Sequence, residues 1–329
     1  MTNSKYIVIN QFGGPEVLQL AEKSIPDPKN DEVLIKNLYT GVSFGDIILR
    51  IGKAPFQKPP LIPGNEVVGI IQKTGNNVTS LKVGQLVAAL TFFGGYSEYI
   101  CLHQKELMPI PKGVKPEDAA CLILNYLIAY QLLHRCAKIK KGEKVLVHGA
   151  SGGIGTAILQ LGKIIGAEMY GTASPEKHSY VSGLGAIPID YKNSDFCLNI
   201  KKRCPDGIDI VFDSVGGTTF KKSYSLLRKN GRLIGYGSQN LISTLRTIIF
   251  RSLIPDSRRA YLYLLIINKR TRPRWIKEDL QSLFKLIIEG TLKPVINECF
   301  PLKDAKIAHK KLESGTVMGK ILLKVDKGI

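Results

Sequence analysis

Short alternating runs of apolar and polar residues occupy the first part of the chain. Tyr6–Ile9, Glu32–Asn37, Val67–Lys73 and Leu86–Leu90 have strand length and are separated by the turn signals Gly13-Gly14-Pro15, Pro26-Asp27-Pro28 and Gly75-Asn76-Asn77. They predict a compact, barrel-like all-β domain over residues 1–120. Residues 119–133, AACLILNYLIAYQLL, read as one very apolar helix. It falls short of the ~20 residues a bilayer span needs and contains Asn125 and Gln131, so burial in the protein is expected. Over residues 121–265 strand and helix patterns alternate, as in a doubly wound α/β sheet. Strands are expected at Met169–Ala173, Ile208–Asp213 and Arg232–Gly235, and helices near 175–184, 194–203 and 218–229. Beyond residue 295 a strand–helix–strand pattern ends in Gly319-Lys320-Ile321-Leu322-Leu323. The segment 266–329 is therefore expected to rejoin the first domain.

The chain is organised around Lys144–Lys163, KVLVHGASGGIGTAILQLGK. An apolar run, Lys144 to His148, reads as a buried parallel strand and stops in the turn Gly149-Ala150-Ser151-Gly152-Gly153-Ile154-Gly155. A helical pattern follows, with Ile154, Ile158, Leu161 and Ile165 on one face. A strand, a glycine-rich turn and a helix N-terminus together suit a pyrophosphate: glycines let the backbone approach, and the first N–H groups and the helix dipole favour the anion. Against the pattern G-x-G-x-x-G, Ala150 holds the first place, and Gly152 and Gly155 the other two.

Composition adds limits. The 329 residues are 44% hydrophobic, enough for two domains with substantial cores, and carry a net charge of +19. That charge favours acidic ligands or surfaces. No nucleic-acid-binding module is present and most basic residues are dispersed, so a phosphorylated cofactor is expected rather than a nucleic acid. The six cysteines form no C-x-x-C pair, and the N-terminus lacks the build of a signal peptide; both point to the reducing cytoplasm.

The motifs GVSFGDI (41–47), PGNEVVG (63–69), LNYLIAY (124–130), VLVHGASGGIG (145–155), GTASPEKH (171–178), IDY (189–191), VFDSVGG (211–217) and GKILL (319–323) run nearly end to end. In this set the chain resembles the zinc-independent medium-chain dehydrogenases/reductases of the quinone oxidoreductase (zeta-crystallin-like) group, and more closely its vesicle amine transport protein-like branch. The resemblance implies a GroES-like β-barrel catalytic domain interrupted by a Rossmann doubly wound parallel-sheet domain, an active site in the cleft between them, and commonly a homodimer. It also implies a zinc-free site. Where zinc enzymes of the superfamily place Cys-His and a second His, this chain has Ser43-Phe44 and Asn65, all poor zinc ligands.

Without a Lewis acid, hydride transfer is best suited to an acceptor that spreads charge through its own π system, such as a quinone or another α,β-unsaturated carbonyl. The motifs nominate Ser43, Asp46, Asn65, Tyr96 and Asn125 as catalytic-site residues. Three positions depart from the family: its usual Asn is Ser43, a downstream Tyr is Ala54, and the Thr before Ala-Tyr is Ile128. Those departures leave open an NADPH-binding, membrane-peripheral interaction protein with weak or no catalysis, and an enoyl-thioester reductase remains a further alternative.

For the cofactor, NAD enzymes place an acid about 20 residues after the glycines to hold the ribose hydroxyls. Here Ala173 and Ser174 stand there. A hydroxyl and an ammonium, Ser174 and Lys177, suit a 2′-phosphate instead, with Tyr191 matching the family tyrosine that borders it; the expected cofactor is NADPH. Ser174-Pro175-Glu176 is equally a sound helix start. The cofactor set comprises Ala150, Ser151, Gly152, Gly153, Ile154 and Gly155 at the turn, Thr172, Ser174, Lys177 and Tyr191, then Ser214, Gly216, Gly235, Tyr236 and Gly237, with Lys320 adding charge.

Finally, Leu241–Lys277 carries nine basic residues against one acid, Asp256, interleaved with Ile248-Ile249-Phe250 and YLYLLII. Its apolar runs are too short to span a bilayer. They could form a partly buried helical lid over an apolar pocket, a dimer face, or a peripheral contact with an anionic membrane.

Overall fold

The strand Glu32–Val42 is the axis of the β-rich unit, and its length explains how one strand serves three neighbours. One edge pairs antiparallel with Glu66–Thr74. The other is shared: Glu32–Lys36 pairs with Tyr99–His103, while Tyr39–Val42 pairs with Lys320–Lys324 at Leu323↔Thr40. The seven-stranded sheet runs Ile296–Pro301, Lys320–Lys324, Glu32–Val42, Glu66–Thr74, Leu86–Leu90, Met108–Pro109, with Tyr99–His103 off that path. Its inward residues Val33, Ile35, Val67, Ile71 and Val87 are wholly buried and form one core. Ile7, Ile9, Val42, Tyr96, Ile321 and Leu323 form a second. Each such aliphatic side chain contributes roughly 1.5–3 kcal/mol by leaving water. The C-terminal strands therefore complete the same β structure as the N-terminal ones. They are joined by the helix Ala305–Glu313, as a parallel pair requires.

In this computed structural model residues 3–237, 241–252 and 255–325 are described. Residues 1–2, 238–240, 253–254 and 326–329 lie outside the described residues. The chain divides into two units, Met1–Leu124 with Leu280–Ile329, and Asn125–Asp279. The sequence reading had placed these cuts after residues 120 and 265.

The second unit is a six-stranded sheet in the order Ile187–Asp190, Glu168–Ala173, Lys144–Val147, Ile208–Asp213, Leu227–Tyr236, Arg259–Tyr263, with every neighbouring pair parallel. In chain order this is 3-2-1-4-5-6, the doubly wound arrangement in which strand order reverses beside the first strand. A helix falls where expected at Phe196–Arg203; the one expected at 218–229 ends at Ser225, because Leu227 already begins the fifth strand, and 175–184 splits into a 3₁₀ turn, Pro175–Lys177, and a helix, His178–Gly183.

Two expectations need correction. The apolar helix begins earlier, at Pro116–Cys121. It continues through Leu127–Tyr130 with wider π turns at Leu122–Tyr126 and Gln131–Ala137. The YLYLLII run is only partly helical: it begins within the sixth sheet strand, Arg259–Tyr263, and continues into the helix Leu265–Thr271. Among the described residues no helix is long and apolar enough to cross a membrane.

Candidate cofactor and active sites

The glycine turn sits where the strand order reverses. The strand Lys144–Val147 hands over to the helix Gly153–Ile165, whose N-cap Gly152 offers no capping side chain. The N–H groups of the first helical turn thus have neither an intrahelical acceptor nor a side-chain cap. Each glycine has a separate reason. Gly149 has φ +67°, and a Cβ on Gly155 would lie 2.2 Å from the Gly149 carbonyl oxygen and 2.8 Å from Ala150 Cα. A Cβ on Gly152 would meet only the Gly149 oxygen, at 3.4 Å. Gly155 serves close packing of helix on turn, whereas Gly152 leaves open the space an anion would use.

Several residues nominated for cofactor contact are found supporting the turn. Ala150 is wholly buried and its N–H donates to Thr172 O at 3.1 Å. The Gly149 N–H donates to Thr172 Oγ1 at 3.3 Å, with His148 Nδ1 3.2 Å from the same hydroxyl. Ser151, 8% exposed, accepts from Thr156 Oγ1 through its carbonyl. His148 is itself buried between Thr172 and Ser223, and burial lowers its pKa. Thr172 is therefore a brace behind the turn.

Because the strands are parallel, their carboxyl ends share one edge, and the other nominated residues gather there. Ser214 donates to the His148 carbonyl at 3.3 Å and bonds Tyr236, whose phenol is pushed up by burial. Asp213 Oδ1 accepts the N–H groups of Val215 (2.7 Å) and Gly216 (2.8 Å), while its Oδ2 is buried without a partner. The motif VFDSVGG points to Ser214 and Gly216, and the carboxylate that shapes their turn, Asp213, stands beside them in it. Gly235 lies under Phe220 and Thr244, which makes it a packing glycine, and Gly237 is exposed with φ +57°.

At the end of Glu168–Ala173, Ser174 is the N-cap of Pro175–Lys177 and bonds Glu176 rather than a backbone N–H. Glu176 in turn pairs with Lys192 at 3.4 Å, next to the 54%-exposed Tyr191. Lys177 is half-buried, which lowers its pKa. Lys192, not singled out from the sequence, thus joins Ser174, Lys177 and Tyr191. Lys320 does not fit the role given to it. It is 2% exposed in the β-rich unit and its ammonium is ion-paired at 2.5 Å with the buried Glu66, so its charge is already neutralised there.

In the β-rich unit Ser43, Asp46 and Asn65 come together. Ser43 caps the helix Phe44–Arg50 in a capping box with Asp46. Asp46 Oδ2 accepts the Ser43 N–H (2.9 Å) and hydroxyl (2.7 Å). Its Oδ1 accepts the Gly64 N–H (2.9 Å) and Asn65 Nδ2 (2.9 Å). Asn65 Nδ2 also reaches Ser43 Oγ at 3.0 Å. Burial raises the Asp46 pKa, opposed by the Ser43 hydroxyl, the Gly64 and Ser43 N–H groups and the Lys320 charge. A carboxylate so fully engaged holds its neighbours in place and has little left to offer a substrate. Tyr96 lies behind them, its N–H bonded to the Pro63 carbonyl and its phenol pushed well up by burial and by the Asp46 and Glu66 charges. Its hydroxyl is 3.0 Å from His309 Nε2 and makes no hydrogen bond to the three. Asn125, 6% exposed, lies in the π turn Leu122–Tyr126. Among the described residues no group of three His, Cys, Asp or Glu could hold a metal ion.

Comparison with known proteins agrees with both units. Residues 29–112 match the alcohol dehydrogenase GroES-like domain and residues 184–323 the zinc-binding dehydrogenase family. The chain is 32% identical over 322 residues to human quinone oxidoreductase, covering 95% of each protein. It is 31% identical over 336 residues to the synaptic vesicle membrane protein VAT-1 homolog of Danio rerio, covering 96% of this chain and 69% of that one. The crystal structure of Escherichia coli quinone oxidoreductase complexed with NADPH superposes with a TM-score of 0.87 at 30% identity, covering 97% of this chain and 99% of that one. The chain belongs to the medium-chain dehydrogenase/reductase family, in the group that holds quinone oxidoreductase and the VAT-1 homologues.

Proposed function

We propose that this chain is an NADPH-dependent, zinc-independent oxidoreductase that reduces quinones or other α,β-unsaturated carbonyl compounds. The observation that carries the reading is the uncapped helix N-terminus at Gly152–Gly155, at the reversal point of a parallel sheet, with no acid at Ala173 or Ser174. Gly152, Gly153 and Ile154 would receive the pyrophosphate, and Ser174, Lys177, Tyr191 and Lys192 the adenosine phosphate. A bound NADPH would supply the hydride.

The polar group around Asp46 supports a conjugated acceptor. The Ser43 hydroxyl gives its proton to Asp46, and Asn65 spends its amide on Ser43 and Asp46. None of the three is left as a ready proton donor for a localised alkoxide, which suits an acceptor that delocalises its own developing charge. Zinc independence is supported by the same contacts: Ser43 Oγ and Asn65 Nδ2 are committed, and Phe44 has no donor atom.

Purified protein assayed with NADPH and NADH against quinones, enones and enoyl thioesters tests this. Turnover of a quinone or enone with NADPH is the expected result. NADPH binding without turnover of any acceptor would overturn the oxidoreductase reading in favour of a nucleotide-binding interaction protein.

A further inference from the structure

The strands Glu168–Ala173 and Ile187–Asp190 end side by side, with Asp190 paired to Ala173. Their carboxyl ends therefore deliver residues 174–177 and 191–194 to one place. Two acids stand there, and they are used differently. Both oxygens of Asp190 serve the second loop: Oδ1 accepts the N–H groups of Lys192 (2.8 Å) and Asn193 (3.2 Å), and Oδ2 accepts Asn193 Nδ2 (3.0 Å). Asp190 thus fixes the backbone that carries Lys192.

Glu176 reaches across from the first loop. Its carboxylate lies 3.4 Å from the Lys192 ammonium and accepts from the Ser174 hydroxyl. The Ser174 hydroxyl does most to hold this carboxyl below the usual range, so it is charged at neutral pH. Lys177 completes the group: burial lowers its pKa and the Glu176 charge opposes that shift.

Ser174, Lys177 and Lys192 are the donors assigned above to the adenosine phosphate. A carboxylate is already seated on two of them. An arriving 2′-phosphate has to displace it from Ser174 and Lys192, and then lies beside a like charge. NADH carries a neutral hydroxyl at that position, which a carboxylate does not repel. The acid that NAD enzymes place at the strand end is missing at Ala173 and Ser174, yet Glu176 brings a carboxylate to the same neighbourhood two residues later.

We propose that Glu176 is a specificity-determining residue of the cofactor site: its carboxylate occupies the 2′-phosphate position in the free protein and lowers the preference for NADPH over NADH. The inference rests on the assignment of the adenosine phosphate to Ser174, Lys177 and Lys192.

Titration of the full chain with NADPH and NADH by nicotinamide fluorescence, at low and high salt, tests it. Glu176→Gln keeps the size of the side chain and its bond to Ser174 while removing the charge. It should tighten NADPH about fivefold at low salt and less at high salt, and change NADH by less than about twofold. The side chain is 69% exposed, so the substitution needs no repacking and the melting temperature should not move. In a Lys192→Met background the same substitution should gain less, because one of the two contested donors is gone. Unchanged or weaker NADPH binding by Glu176→Gln, an equal gain for both cofactors, or an equal gain with Lys192 removed would overturn the proposal. Lys177→Ala separates it from the assignment beneath it. If that variant weakens NADPH selectively while Glu176→Gln changes nothing, the phosphate site stands and only the role of Glu176 falls. If Lys177→Ala has no selective effect, the phosphate site is misplaced and the proposal falls with it.

Discussion

Gly152 and Gly155 stand three residues apart in one turn, and the structure predicts opposite consequences for the same small substitution. At Gly152 the backbone (φ −74°, ψ 173°) is open to any residue, and a new Cβ would meet nothing nearer than the Gly149 oxygen at 3.4 Å. Alanine there gains up to about 1 kcal/mol through a stiffer unfolded chain and loses a comparable amount as a poorer N-cap. The two effects nearly cancel, so the melting temperature of Gly152→Ala should stay within a few degrees of wild type. Its methyl group, however, projects into the space assigned to the pyrophosphate. Losing one or two charge-assisted hydrogen bonds, each worth ~1.5–3 kcal/mol, should weaken NADPH by tenfold or more.

At Gly155 the new Cβ would sit 2.2 Å from one backbone atom and 2.8 Å from another, neither of which can rotate away. Overpacking of this kind costs about 1–3 kcal/mol, which for a unit of this size lowers melting by roughly 2–10 °C. Thermal melting and nicotinamide-fluorescence titration of both variants decide the matter. If Gly152→Ala binds NADPH as tightly as wild type, the phosphate site has been misplaced. If Gly155→Ala melts no lower, the close packing of helix on turn is not what holds it.

Three further outcomes are expected. Lys177→Ala should weaken NADPH by about ten- to a hundredfold while barely changing NADH, and the difference should shrink at high salt; equal effects on both would remove the 2′-phosphate assignment. His309, held near a pKa of about 3 by burial and the Arg50 charge, should make stability fall with acidification. The unfolded imidazole takes up its proton below about pH 6.5 while the folded one stays neutral. Stability present above that pH is therefore lost as pH falls toward 3, at up to ~1.4 kcal/mol per unit. His309→Gln, able to accept from Arg50 and donate to Tyr96, should flatten that limb in denaturant titrations across pH, and an unchanged slope counts against the assignment. Protein prepared without added metal should contain no stoichiometric zinc and keep full activity in chelator; one zinc per chain, removed together with activity, refutes the Ser43–Phe44–Asn65 argument.

What was legible in the sequence was mostly local. The strand, turn and helix at Lys144–Lys163 declare themselves because a buried parallel strand is continuously apolar, and because glycines are needed where backbone meets backbone. Ser43 and Asp46 come from the motif GVSFGDI, and the structure adds that they form a capping box, a contact between residues three apart. The features that escaped depend on partners far along the chain. Lys320 reads as a spare cation in GKILL until Glu66 is placed against it. Tyr96 reads as a site residue until its hydroxyl is found on His309, 213 residues later. There Arg50 can only donate to Nδ1, which leaves Nε2 to donate to the phenol and makes the pair a fixed part of the core.

The helix Leu241–Ser252 escaped for a different reason. Its periodicity shows that Ile242, Leu245, Ile249 and Phe250 share a face, but periodicity has no sign and cannot say whether that face points inward. The usual assumption, apolar side inward, fails because Gly235 opens a place on the sheet that suits Thr244. The glycine on the strand and the packing of Ile248 on the core together leave the threonine side facing the sheet. Hydrophobic pattern fixed the elements; the sizes of the residues facing them fixed which side each turns outward.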